Sequence, residues 1–526
     1  MRRVACAGLA VVLSGCFMIG PDYVEPPVPT ASEWIETADP TLERDAAELS
    51  GWWTVFDDPV LDWLVETAYR QNKDLLVAGG RVIEAQARRG IAIGGIFPQI
   101  QEAFGAYTGV ELSEYRANQG NPLLDHRYGD WQVGLDAAWE LDVWGRFRRG
   151  IEAADADLLA SVANYDDVLV SLIGEVAANY VQLRILQEFL VVAMGNVKLQ
   201  NRSYEIADAK FRNGLVTELD RAQARSLLRR TEAVIPRTEA AIRQTQNTLC
   251  VLLGIPPRDL VDVVGQTLGP IPTAPAEIAV GIPAQMLRRR PDVRRVEREL
   301  AAQSAQIGIA KADLLPAFSL VGSISLAAED FADVWRADSF EGFGGPRFQW
   351  AIFNYGRIRN NVRVQDAVYQ QQIAVYENTV LRAQREVEDA IAGFLGARRE
   401  AVLLEMAVEA SERAVELANL QYREGTVDYI RVLNAQQDLF LAQERSVGAH
   451  GAVASNLVTL YRALGGGWEI RAGDDFLPEE IKDQMRERTH WGDMLSEEEQ
   501  EDDVEAAETG TEDGGWWRWR WWWPRW

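Results

Sequence analysis

The alternation of apolar and polar residues is strictest just past residue 130. Trp131, Val133, Leu135, Ala137, Trp139, Leu141 and Val143 fall on one face, and Asp130, Gln132, Gly134, Asp136, Ala138, Glu140 and Asp142 on the other. Period two is the period of a strand. An apolar face ending in an aromatic, backed by an acidic face, is the pattern of a membrane β-barrel strand. Asp130, Asp136, Glu140 and Asp142 are therefore expected to line a barrel lumen. Residues 100–112 alternate more loosely, with Phe104, Ala106 and Val110 on one side. Phe318, Leu320, Gly322, Ile324 and Leu326 alternate with Ser319, Val321, Ser323 and Ser325, and Phe348, Trp350 and Ile352 with Arg347, Gln349 and Ala351. Polar stretches at 113–127 and 329–346 are expected to be external loops. Four strands are too few to close a barrel, for which about eight is the practical minimum. A membrane reading requires an oligomer.

Elsewhere the period is helical. Residues 61–93 carry Leu61, Leu64, Val65, Ala68, Leu75, Leu76 and Val82 at helical spacing, and Pro98 breaks the pattern. Residues 145–212 and 356–423 contain no proline, so each predicts a helix of about 68 residues, roughly 100 Å at 1.5 Å per residue. Return helices are expected at 218–253 and 429–464. Such antiparallel pairs suit coiled-coil packing, and Ala153, Ala154, Ala156, Ala160 and Ala163 allow close approach. No stretch after the amino terminus supplies about 18 uninterrupted apolar residues.

These elements occur twice. A shift of 211 positions aligns residues 139–254 with 350–465 without a gap. Trp139, Gly145-Arg146 and Tyr165 return as Trp350, Gly356-Arg357 and Tyr376. Phe211-Arg212-Asn213-Gly214 returns as Tyr422-Arg423-Glu424-Gly425, and Leu253-Gly254 as Leu464-Gly465. Ile96-Phe97-Pro98 resembles Leu314-Leu315-Pro316 at a slightly different offset. The chain thus divides into a first repeat (59–254), a proline-bearing connector (255–282), a second repeat (283–465) and a short end (466–473).

Residues 1–15 read as an export signal, Arg2-Arg3 followed by a short apolar run. The segment Leu13-Ser14-Gly15-Cys16 is similar to a bacterial lipobox, in which the cysteine sulfur is acylated; Cys16 is the expected lipidation site, followed by an extended segment to residue 58. Three cysteines cannot build a disulfide framework. His126, His450 and His490 lie far apart, and no metal-protease, P-loop or serine-hydrolase motif is present. An enzyme is not expected, nor any cofactor beyond the lipid on Cys16. The net charge of −26 argues against nucleic-acid binding.

Further residues carry a family resemblance. These are Cys16 with Gly20-Pro21-Asp22-Tyr23 and Pro26, Trp52-Trp53 with Phe56, Asp58-Pro59 and Leu61, and Asn72 with Asp74-Leu75. Arg290-Pro291-Asp292-Val293-Arg294, Leu315-Pro316 and Tyr422-Arg423-x-Gly425 complete them. Over roughly residues 16–470 the sequence resembles the lipidated outer-membrane efflux factors of the TolC/OprM/NodT type. The resemblance implies an α+β membrane protein. In it a homotrimer forms a twelve-stranded β-barrel continued by a long periplasmic α-helical barrel with an equatorial belt. It implies passive conduction of substrates delivered by an inner-membrane pump, of the resistance-nodulation-division type, through a periplasmic adaptor. It further implies that the helix turns at the periplasmic tip form the gate. Asp428 and Ile430 are then the ring residues, Arg423 a restraining ion-pair partner, and Glu218, Leu219 and Asp220 the first-repeat counterparts. Asn434 departs from the family, which often has Asp there. The alternative is a structural envelope lipoprotein whose coiled coils do not conduct.

The resemblance does not reach the far end. Residues 474–513 hold 17 acidic against three basic residues, a net −14, and are expected to be disordered. Residues 514–526 carry seven of the eighteen tryptophans, with Arg518, Arg520 and Arg525. Docking on the membrane leaflet or peptidoglycan, folding back onto the acidic run, and no role at all remain open.

Overall fold

The computed structural model describes residues 18–496 apart from 37, 44–48, 114, 116–126, 262–268, 276, 282 and 473. The export signal, Cys16 and residues 497–526 lie outside the described residues. In chain order the elements are β1 (Leu42–Glu43), α1 (Pro59–Gln71), α2 (Lys73–Gly94), β2 (Ile100–Glu111), β3 (Arg127–Leu141), α3 (Arg146–Arg212), α4 (Glu218–Glu232) and α5 (Val234–Leu252). They continue with β4 (Ile278–Ala279), α6 (Pro283–Arg289), α7 (Pro291–Ala312), β5 (Ala317–Ala328), β6 (Phe340–Gln349), α8 (Arg357–Glu424), α9 (Tyr429–Ala463) and α10 (Glu479–Arg488).

One antiparallel sheet, ordered β2-β3-β5-β6, joins the strands of both halves. From its base run the two long hairpins, α3 with α4–α5 and α8 with α9. At 67 and 68 residues, α3 and α8 carry their far ends about 100 Å from the sheet. Around the middle, the chain start and the carboxyl-terminal region wrap the hairpins and share one core. Trp52 stacks on Tyr461 at 5.3 Å, and Leu61, Leu64, Tyr180, Leu253, Phe394 and Leu457 pack beside them. Here β1 pairs with β4 in parallel.

The belt accounts for most motifs that carried the resemblance. Asp58 accepts from the Val60 amide and from the Tyr180 hydroxyl, and Pro59 opens α1 where no amide hydrogen is needed. Asn72 accepts from the Leu75 amide at 3.0 Å and donates to the Leu252 carbonyl at 2.9 Å. Arg290 donates to the Ala463 carbonyl at 2.7 Å and pairs with Asp292 and Glu386, each at 2.8 Å. Gly20, at φ +123°, lies so close to Gly308 that a side chain on either would collide with backbone. These residues tie helix ends together and contribute no chemistry.

Several expectations need correction. The single helix over 61–93 is two, divided at Asn72, whose extended backbone ends α1 and caps α2. The return helix over 218–253 breaks at Ala233, because Pro236 removes an amide donor and clashes with the carbonyl four residues earlier. The last strand starts at Phe340, inside the segment read as loop, and ends before Trp350. Its glycines, Gly342, Gly344 and Gly345, hid it. One stretch of α3 is apolar enough to cross a membrane by composition, yet 61% of it is buried, so its hydropathy reflects the belt core. The first part of the acidic run is folded. Leu477 and Leu495 bury against Ile83 of α2, with α10 between them, and Lys482 pairs with Asp475 and Glu479. Three basic residues among the acids, Lys482, Arg486 and Arg488, and a few apolar anchors suffice for order there.

A polar seam joins the lower halves of α3 and α9. Asn196 donates to Gln443 at 2.7 Å, and Gln436 to Ser203 at 2.6 Å, while the buried Gln200 amide finds no partner among the described residues.

Candidate channel face and hairpin tips

Register sorts the sheet into two faces, since directly opposed residues share a side. Trp131, Val133, Leu135, Ala137, Trp139 and Leu141 oppose Ala328, Leu326, Ile324, Gly322, Leu320 and Phe318. Phe318, Leu320 and Leu326 in turn oppose Phe348, Pro346 and Phe340. This face is apolar and stands open in the single chain: Leu135 is 53% exposed, Ile324 52% and Phe348 69%. Aromatic rings mark its two ends. Trp131 meets Tyr107 at 4.5 Å and Phe331 at 5.1 Å. Eight residues on, about 27 Å along an extended strand, Trp139 donates to the Ile96 carbonyl at 2.9 Å; beside it Trp144 donates to Pro316 at 2.8 Å and Trp350 to Leu314 at 3.0 Å. An apolar band with an aromatic girdle at each edge matches a bilayer's hydrocarbon layer.

The opposite face gathers Asp130, Asp136 and Glu140 with Glu102, Thr108, Ser319, Ser323, Ser325, Glu341 and Arg347. Gln132 donates to Glu341 at 3.0 Å, and Ser325 to the same carboxylate at 3.0 Å. Glu140 is ion-paired with Arg146 at 3.4 Å. Asp142 does not belong to this set. It lies beyond β3 and accepts from the Phe147 and Arg148 amides at 3.1 and 3.0 Å while pairing with the Arg148 guanidinium. It caps the start of α3 instead of lining a lumen. Phe104, Ala106 and Val110 also turn out to share the polar side, opposite Gly134, Gln132 and Tyr128. The Glu341 network escaped sequence reading because Glu341 falls in the part of β6 read as loop; the strand was expected only from Arg347.

At the far end the two helix turns adjoin. Each closes with a glycine in the left-handed region, Gly214 at φ +72° and Gly425 at φ +78°. The amide after each reaches back five residues, Leu215 to the Lys210 carbonyl and Thr426 to that of Gln421. Between the turns Ala207, Ala224, Tyr422, Tyr429 and Val432 form a small core. The Lys210 ammonium donates to the Tyr422 carbonyl and sits 4.3 Å from its ring centroid. Burial, reinforced by the negative charge of Asp220, pushes the Tyr422 hydroxyl up to about 12.

The six gate candidates divide in two. In the first turn Asp220 bonds the amide and hydroxyl of Thr217 at 3.0 and 3.1 Å, so it is a cap. Glu218 pairs with Arg221 at 2.9 Å, and Leu219 is 63% exposed. Asp208, also missed, holds Arg212 at 2.6 Å; its four-residue spacing from Arg212 was the available signal. In the second turn Arg423 and Asp428 are exposed, and among the described residues neither has an ion pair within the chain. Ile430 is 43% exposed. Asn434 is exposed one turn further on.

A sheet with an outward apolar band, continued by hairpins of this length, defines a class: outer-membrane channel subunits that reach far into the periplasm. The chain belongs to the outer membrane efflux protein family, whose model matches residues 64–255 and 282–466. It is 32% identical to the pyoverdine export outer membrane protein OpmQ of Pseudomonas putida, over 80% of this chain and 88% of the relative. It is also 32% identical to the toluene efflux pump outer membrane protein TtgF of Pseudomonas putida, over 88% and 96%. The outer-membrane channel OprN superposes with a TM-score of 0.79 at 33% identity, covering 86% of this chain and 99% of that one. The protein is an outer-membrane efflux channel component, resident in the outer membrane and extending into the periplasm.

Proposed function

We propose that three copies of this chain close one twelve-stranded barrel and one continuous helical tunnel. Through it, substrates handed over by an inner-membrane pump of the resistance-nodulation-division type and a periplasmic adaptor leave the cell passively. The observation that carries this reading is the sheet itself. Its apolar face is exposed, and among the described residues its outer strands, β2 and β6, each pair on one side only. An open apolar sheet edge is untenable in lipid, where every backbone group must be paired. Three copies of four strands close the edge.

In that assembly Asp130, Asp136 and Glu140 face the lumen and favour cations near the barrel. The outer leaflet of the reading is the cargo: pyoverdine and toluene, in the names of two relatives, differ so much that selection must lie with the pump. Lipidation of Cys16 fits the position of Met18, which packs on Gly145 where β3 hands over to α3.

The gate in this reading is the second hairpin turn. Arg423 and Asp428 have no ion-pair partner among the described residues of their own chain, so pairing across copies is available to them. Glu218, Leu219 and Asp220 are mostly engaged locally and act as support. Opening requires an adaptor that binds the open arrangement more tightly than the closed one. Planar-bilayer recording tests this: Asp428→Ala combined with Ile430→Ala is expected to raise leak conductance severalfold. Unchanged conductance removes these residues from the gate, and a protein that never conducts leaves the structural lipoprotein.

A further inference from the structure

The helices that lead into the strands of each half, α2 and α7, are equivalent under a shift of 218 positions, which carries Asp74 onto Asp292, Gly90 onto Gly308 and Pro98 onto Pro316. Each has a strap laid across it. On α7 the strap is the amino-terminal segment: Gly20 rests on Gly308, Tyr23 packs against Ala301 and Ala302, and its hydroxyl donates to Glu297 at 3.4 Å. On α2 it is the segment that follows the belt, residues 476–496. Met494 reaches Gly90, Leu477 and Leu495 bury on Ile83, and a side chain on Gly79 would strike the Phe476 carbonyl. Gly79, Ile83 and Gly90 are the equivalents of Glu297, Ala301 and Gly308. Two segments of different sequence thus follow the same track in opposite directions.

The amino-terminal strap joins α8 to α3. At the belt end the Tyr376 hydroxyl donates to Glu25 at 3.1 Å, and at the sheet end Asp22 pairs with Arg149 at 2.7 Å. The carboxyl-terminal strap has the first of these anchors: Phe476 meets Tyr165, the equivalent of Tyr376, edge-on at 5.3 Å. The second anchor belongs on a long helix from the other half. Within the chain α3 lies along α7, as β3 pairs with β5. In the closed barrel β6 pairs with β2 of the neighbouring copy, which brings that copy's α2 alongside α8. Asn360 of α8 takes the place of Arg149. Around it Arg357, Arg359 and Arg363 are exposed and have no ion pair among the described residues, and Val364 is 54% exposed. On the strap Glu487 and Asp493 are exposed and equally without an ion pair among the described residues. Acid on the strap and arginine on the long helix repeat the sign of the Asp22–Arg149 pair.

We infer that residues 476–496 are a clasp between copies, fastening their own α2 to α8 of the neighbouring copy. Glu487 and Asp493 then face that copy's Arg359 and Arg363, and Met494 lies against its Val364. The inference rests on the trimeric reading and adds to it a segment beyond residue 466, where the family match ends. A head-to-tail contact of this kind, repeated at each seam, closes a ring. The apolar contact supplies burial, and the carboxylate–guanidinium pairs fix which helix is taken, since exposed pairs contribute little strength of their own.

The test is cross-linking of the full chain in membranes. Chains carrying Asp493→Cys are co-expressed with chains carrying Arg363→Cys, so that no copy holds both; the native Cys250 is buried. Mild oxidation is expected to give a covalent dimer on denaturing gels that reduction dissolves, and chains carrying Asp493→Cys alone are expected to give none. In detergent, Glu487→Arg with Asp493→Arg is expected to raise the apparent dissociation constant of the assembly about tenfold. Adding Arg359→Glu and Arg363→Glu to the same chain is expected to restore it. Oxidation that leaves only monomers on the gel, while light scattering reports trimers, overturns the clasp and leaves the channel reading standing. Charge reversal without effect on a trimeric protein does the same. An unaltered chain that stays monomeric by light scattering removes the trimeric reading, and the clasp with it.

Discussion

The two halves of the chain keep the same joints and differ in what surrounds them. Asn72 caps the carbonyl of Leu252 and Arg290 that of Ala463, equivalent helix ends 211 residues apart. Trp139 and Trp350 likewise donate to Ile96 and Leu314, on the loops that precede their hairpins. Their long helices do not match in environment. α3 buries 28 of its residues and α8 only 13, although they are nearly equal in length. Val402, Leu403, Met406 and Leu420 of α8 stand 55–67% exposed. The first half carries most of the core of the single chain, and the second leaves apolar surface open. The backbone contacts of the two halves are alike while their side-chain faces differ.

The largest test of this contrast is at the shared joint. Arg290→Ala strands two carboxylates and a helix end and is expected to cost about 3–5 kcal/mol. Asn72→Ala, a neutral cap, is expected to cost about 1–2 kcal/mol. Thermal unfolding in detergent reads both, and equal losses would break the argument that charge was added to only one joint. Next, Leu403→Glu with Met406→Glu on α8 is expected to abolish assembly while leaving the helix content of the monomer intact, as read by light scattering and circular dichroism. Gly214→Ala and Gly425→Ala put a methyl group in the left-handed region with open space around it. Each is expected to lose about 1–2 kcal/mol, and a difference between them would show that the turns are not equivalent. A smaller effect belongs to Thr217→Ala, about 1 kcal/mol through its lost cap. Asp428→Ala, whose side chain caps nothing in the chain, is expected to change monomer stability by less than half of that.

Regular periodicity was legible from sequence. The long helices fall within a residue of their expected ends, and β3 is found where its alternation is strict. Legibility failed where one residue overrides a pattern. Asn72 and Pro236 each divided a helix whose apolar spacing ran on through the break. Glycines in β6 hid the first part of that strand, because a pleated surface with missing side chains shows no alternation. Asp142 kept the period of the lumen face but passed the end of the strand and became a cap. The order of residues 474–496 was masked by charge, since a handful of anchors, Leu477, Leu495 and Trp491 among them, fix a segment whose average composition is that of a solvated coil. The tip residues were found by resemblance, and a single chain presents them as two neighbouring turns: one laced by its own ion pairs, the other with Arg423 and Asp428 unpaired.

The seam between α3 and α9 has a consequence for how the tunnel yields. A joint made of leucines resists sliding, because each shift of a knob opens a void. Asn196, Gln200, Ser203, Gln436 and Gln443 offer more donors and acceptors than one arrangement uses, and Gln200 has both of its own in reserve. Amides can exchange partners at little net difference in free energy. The lower hairpins are thus built with a lubricated track beneath a riveted collar: displacement at the tips can be absorbed along the amides and need not reach the aromatic belt above.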